Sequence, residues 1–155
     1  MWRSRQRDDF HGLRARLLTL DPFTAGIAPT PHLPTVWGGM MEVGFEAGAA
    51  TIVMLADGTT SMYTTAGGGV LGGGEHQHVR TLTARFLTEL QRRAALLAPD
   101  HASHLPPAGV TVLRALTYRG RVAASATDEE LGGGDHLLSG AFFAGHEVIT
   151  ALRNI

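Results

Sequence analysis

Val36-Trp37-Gly38-Gly39-Met40-Met41-Glu42-Val43-Gly44-Phe45, continued by Ala50–Ala56, Asp57-Gly58 and Thr59–Thr64, is the stretch that decides the fold. Trp37, Met41, Val43 and Phe45 share one parity, while Gly38, Glu42 and Gly44 take the other. That alternation belongs to a half-buried strand with one face on the core. Ala50–Ala56 is a continuous apolar run, and Asp57-Gly58 offers the residue pair of a two-residue type I′ turn, so Thr59–Thr64 is expected to return as a third strand. Asp57 is therefore read as a turn residue and not as a catalytic acid. Six glycines in the eight positions 67–74 then break the strand pattern, because glycine loses the most backbone freedom on ordering.

Upstream, Phe10, Leu13, Leu17 and Leu20 recur at helical spacing from Asp8 to Leu20, after a start (1–7) read as frayed. Downstream, Val79, Leu82, Phe86, Leu90 and Leu97 define a long helix from about Glu75 to Leu97. Val110–Tyr118 and Arg121–Thr127 read as a second hairpin, in which Arg114 sits on the apolar parity and suggests an edge, an interface or the opposite parity for this arm. A last helix from about Asp135 carries Leu138, Phe142, Ile149 and Leu152, with Gly145 permitting close packing. Segments 21–35 and 98–109 are proline-rich connections, and His32, His101 and His104 are read as loop residues. The expectation is one α+β domain over 1–155, with an antiparallel sheet of about five strands packed against two to three helices.

Composition narrows the function. The chain has 155 residues, 44% hydrophobic and 17% charged, which suits a folded globular domain. No apolar run is long enough for a membrane span and no signal-peptide pattern opens the chain, so a cytoplasmic address and no membrane partner are expected. The absence of cysteine excludes disulfides and cysteine zinc sites. All thirteen basic residues are arginine, and the net charge of -1 argues against a nucleic-acid partner; only the start, with Arg3, Arg5, Arg7, Arg14 and Arg16, is locally basic. No G-x-S-x-G elbow is present, and Ser61, Ser103, Ser125 and Ser139 carry no catalytic signature.

One feature recurs: Leu71-Gly72-Gly73-Gly74-Glu75-His76 returns as Leu131-Gly132-Gly133-Gly134-Asp135-His136, each time between an expected hairpin and an expected helix. The pattern suggests a duplicated strand-strand-helix unit. Its plainest reading is a turn that launches a helix, the acid accepting from unpaired N–H groups. Phosphate binding is disfavoured, since no Walker pattern occurs and Glu75 and Asp135 place negative charge where phosphate would sit. A sharper reading is a divalent transition-metal site in which the turns meet across a pseudo-twofold axis and Glu75, His76, Asp135 and His136 converge, with His78, His146 and Glu147 in reserve.

Ala56-Asp57-Gly58-Thr59-Thr60-Ser61-Met62-Tyr63, with the glycine blocks and Glu75-His76, resembles a set of uncharacterised bacterial proteins sharing an ADGTTSxY…GGGxxGGGxH pattern, a resemblance that implies no activity. In element order the chain is loosely similar to the roadblock and profilin-like group, which implies a dimerising, non-enzymatic scaffold or regulator. It departs from roadblock order in having three strands before the long helix and two after. The expected function is accordingly a homodimeric interaction or regulatory domain without a cofactor. The alternative is a small metal-dependent enzyme or ligand-binding protein built on the two glycine turns.

Overall fold

A computed structural model describes residues 2–101 and 104–155, with side chains from residue 9 onward. In chain order the elements are α1 (Trp2–Leu18), β1 (Val36–Phe45), β2 (Gly48–Leu55), β3 (Thr60–Thr64), β4 (Gly69–Val70), α2 (Gln77–Arg93), β5 (Ala98–Pro99), β6 (Val110–Thr117), β7 (Gly120–Thr127), α3 (Asp128–Gly132) and α4 (Ser139–Arg153). The fold is α+β, as the sequence implies, with one antiparallel sheet in the order β4-β3-β2-β1-β6-β7-β5.

Among the described residues the sheet has seven strands and not about five, and the helices number four and not two to three. The two extra pieces lie where glycine and proline argued against strand: Gly69–Val70 pairs with Met62–Tyr63, and Ala98–Pro99 pairs with Val122–Ala123. Both are two-residue strips on the outside, where a strand with a missing side chain or donor is tolerated. The first hairpin also turns differently. Met54 pairs with Thr60, Gly58 N–H bonds to Leu55 O, and among the described residues positive φ occurs only at glycines, including Gly58. A type I′ turn needs positive φ at two adjacent positions, so this is a three-residue loop closed by a left-handed glycine.

Both faces of the sheet are covered, which the half-buried reading of β1 did not anticipate. On one face, α2 and α4 pack over Met41, Ile52, Met54 and Leu113 through Val79, Leu82, Phe86, Leu90, Phe142, Ile149 and Leu152. Gly145 allows this closeness, since a Cβ there would lie 2.6 Å from the Met41 sulfur. On the other face, α1 brings Phe10, with Leu13 and Leu17, against Met40, Val53, Leu55, Tyr63 and Leu116. A register shift between Val36 and Gly38 moves Trp37 onto the α1 face, out of phase with Met41 and Val43.

The helices differ at their ends from expectation. α1 starts at Trp2 and not at Asp8. The last helix, α4, begins at Ser139 and not at about Asp135, and an unexpected short helix, α3, precedes it, started by a capping box in which Thr127 accepts from Glu130 N–H and Glu130 reaches back. Residues 104–109 lead into β6 and pass β1 so closely that a Cβ on Gly44 would lie 2.0 Å from Pro107 O.

Gly44→Ala is expected to cost about 1–3 kcal/mol, because its new methyl meets backbone that has no rotamer to yield. Gly12→Ala, mid-helix with nothing within 4 Å, is expected to stabilise by about 1 kcal/mol. Urea unfolding of the two variants beside wild type measures both.

Candidate functional site

The main concentration of buried charge lies between α1 and the sheet. Glu42, in the middle of β1, is fully buried on the α1 face and accepts four hydrogen bonds. Arg14 of α1 is bidentate to it, Nε to Oε2 at 2.7 Å and Nη2 to Oε1 at 2.9 Å. Thr51, its register partner on β2, donates to Oε2 at 2.5 Å. Arg114 of β6 donates from Nη1 to Oε1 at 2.7 Å, and from Nε to Asp100 Oδ2 at 2.6 Å. Arg121 of β7 stands 3.7 Å from the same Asp100 oxygen.

Strand order produces this cluster. β1 lies between β2 and β6, so side chains of one parity on all three strands meet beneath α1. Arg114 is thus on an internal strand, fully buried, and neither at an edge nor at an interface. Burial alone would raise the Glu42 carboxyl; hydrogen bonds from Arg14 and Thr51, the charge of Arg14 and the bond from Arg114 outweigh it and hold the group below its ordinary 4.5. The Tyr63 hydroxyl, close by, is pushed up by burial and by the Glu42 charge, and is buried with no hydrogen-bond partner among the described residues.

Glu42 is closed to solvent and its two oxygens are taken up by Arg14, Thr51 and Arg114, all buried, which is the chemistry of a clasp. Sequence reasoning missed it because Glu42 was placed on a solvent face. The one available signal was Arg114 on an apolar parity, and its meaning depended on knowing that β6 lies beside β1.

The sequence-predicted metal residues are placed apart. Gly73 packs on Leu152, at the C-terminal end of α4, whereas Asp135 and His136 directly precede Ser139 at its other end. Those ends are about 20 Å apart at 1.5 Å per residue. Glu75, His76 and Asp135 are exposed, and His136 is half-buried with Nδ1 accepting from Leu138 N–H at 3.0 Å. His78 is exposed, His146 packs on Phe142 at 4.5 Å, and Glu147 pairs with Arg85 at 3.0 Å. Among the described residues no three His, Asp or Glu side chains gather to hold an ion. The expected pseudo-twofold axis is also excluded by topology. β2 and β6 both run antiparallel to β1, hence parallel to each other, while α2 and α4 share one face; a twofold that keeps strand direction would place them on opposite faces.

The two glycine turns also differ in shape. In the first, positive φ falls at Gly72, before a 3₁₀ turn over Gly73–Glu75; in the second it falls at Gly134, after α3. The first is a packing knot: a Cβ on Gly73 would lie 3.0 Å from Thr60 O, and one on Gly74 would lie 2.3 Å from Gly58 O. Arg80 closes the knot by donating to Gly74 O at 2.6 Å. The acids do not hold the cap positions expected, since the N-cap residues are His76 for α2 and Leu138 for α4, neither of which caps its helix with its own side chain. Ser103 lies outside the described residues.

No family model, curated protein or solved structure matches the chain. No described helix is long and apolar enough to cross a membrane.

Glu42→Gln is expected to cost about 3–5 kcal/mol, because it removes the buried negative charge that faces the guanidinium groups of Arg14 and Arg114. With a folded value below 4.5, the Glu42 contribution is complete above pH 4.5 and is lost as pH falls through the folded value. The stability gap between wild type and Glu42→Gln should therefore narrow below pH 4.5, as read by denaturant midpoints over a pH series; a gap that widens in acid contradicts the assignment.

Proposed function

We propose that the chain is a non-enzymatic interaction or regulatory domain that self-associates as a homodimer through the α2/α4 layer. The observation that carries this reading is a set of three exposed apolar side chains at one end of that layer. α2 and α4 run antiparallel: Gly73, which precedes α2, meets Leu152, Arg85 pairs with Glu147, and Glu89 lies against Gly140. The end of α2 therefore lies beside the start of α4. There Leu96 is 67% exposed, Leu137 42% and Phe143 46%. Single exposed apolar residues are ordinary, but three at one end of a layer offer a patch that water covers at a cost.

Sheet edges support the same choice by elimination. On one side β4 pairs with β3, and Thr64 N–H is taken by Gly68 O. On the other, β5 pairs with β7, Asp100 N–H bonds to Arg121 O, and the Glu130 side chain takes Thr127 N–H. Little backbone is left to template another strand, so an edge-to-edge dimer is disfavoured. The metal-dependent alternative has no comparable support, because its two turns stand at opposite ends of α4.

Sedimentation velocity across a dilution series tests the proposal: a concentration-dependent dimer is expected. Leu137→Glu with Phe143→Glu should weaken it by at least about tenfold while leaving the unfolding midpoint nearly unchanged, since both side chains are exposed. A monomer at every concentration, or a dimer indifferent to both substitutions, overturns it.

A further inference from the structure

A cleft of about 230 Å³ opens between the turn after α1 and the β6–β7 hairpin. That is several times the about 30 Å³ share of one water in the liquid. Its walls include Leu20, Phe23, Trp37, Leu116, Tyr118 and Arg121. Phe23 is 63% exposed and inclined over Tyr118, with ring centroids 5.4 Å apart. Tyr118 is itself fixed by a hydroxyl bond to Ile27 O at 3.2 Å.

Two donors at this place are poorly used. Trp37 is only 4% exposed, and its indole N–H meets no acceptor among the described residues. A buried donor without a partner is costly, and this one is sealed behind the indole ring that lines the cleft, so its signal reports on what packs against that ring. Arg121 makes long contacts only: Nη1 to Leu18 O at 3.4 Å, Nη2 to Asp100 O at 3.4 Å, and Nε at 3.7 Å from an Asp100 oxygen that Arg114 holds at 2.6 Å. A guanidinium suits bidentate recognition of a planar carboxylate. The carboxylate at the rim, Asp21, is already engaged by the Thr24 hydroxyl at 2.6 Å and by Phe23 N–H at 3.3 Å.

We infer that this cleft binds a small monocarboxylate with a flat apolar body, its carboxylate paired with Arg121 and its ring held against Phe23, Tyr118 and Trp37. This inference is independent of self-association, because the cleft lies on the α1 face of the sheet and the apolar patch lies on the opposite helical layer.

Benzoate is the probe and benzamide its uncharged counterpart. In ¹⁵N-labelled Trp2→Phe protein the remaining indole signal is that of Trp37, and benzoate should shift it saturably, with benzamide binding more weakly. Phe23→Ala, an exposed change that leaves the core intact, should weaken benzoate by about tenfold. Arg121→Gln should abolish the preference for benzoate over benzamide. An unmoved Trp37 indole at millimolar benzoate, equal binding of benzamide to wild type, or a shift indifferent to Phe23→Ala each overturns the assignment.

Discussion

A carboxylate at the centre of a sheet that is covered on both faces is the constraint from which the rest of this structure follows. Glu42 has no water to solvate it, so its charge must be balanced within the protein. Arg14 and Arg114 do that, one from the helix above and one from the neighbouring strand. Such an arrangement adds little over a well-packed apolar one of the same volume, but it is severe when incomplete. Its effect is to admit a narrow set of positions for α1 and for Asp100, just past β5, which Arg114 also holds. Apolar contacts from Phe10 and Leu13 hold α1 on the sheet, and the bidentate Arg14 pair sets where along the sheet it lies.

The opposite face has a different logic. There α2 and α4 meet the sheet through aliphatic and aromatic side chains, and glycine supplies the close approach. The most glycine-dense part of the chain lies where backbone crosses backbone, around Gly58, Gly73 and Gly74, with Arg80 laid over them. The motif that first drew a chemical reading thus serves the junction between the first hairpin and α2. Leu96, Leu137 and Phe143 are exposed at the other end of that layer, where α2 ends beside the start of α4.

Much of the fold was legible beforehand because it rests on local periodicity. The stripes Val79, Leu82, Phe86, Leu90 and Leu138, Phe142, Ile149, Leu152 are buried as their spacing implied, and both hairpins form. The errors fall where local rules compete with pairing. Gly69–Val70 and Ala98–Pro99 become strands because a neighbouring strand offers them partners, which propensity alone does not register. Asp57-Gly58 signalled a turn correctly, but its type was set by the register of Met54 with Thr60.

The site was less legible for a related reason. Glu42 and Arg114 are 72 positions apart and meet only because β1 and β6 are neighbours. The two glycine turns read alike along the chain, yet stand at opposite ends of α4. Sequence by itself determined the long helices, the long strands and the apolar stripes that seek burial, since those follow from repeats of two and of 3.6 residues. Tertiary structure alone decided which faces are covered and which charges meet, because strand order and helix placement are properties of the whole packed chain and leave no trace in any short stretch of it.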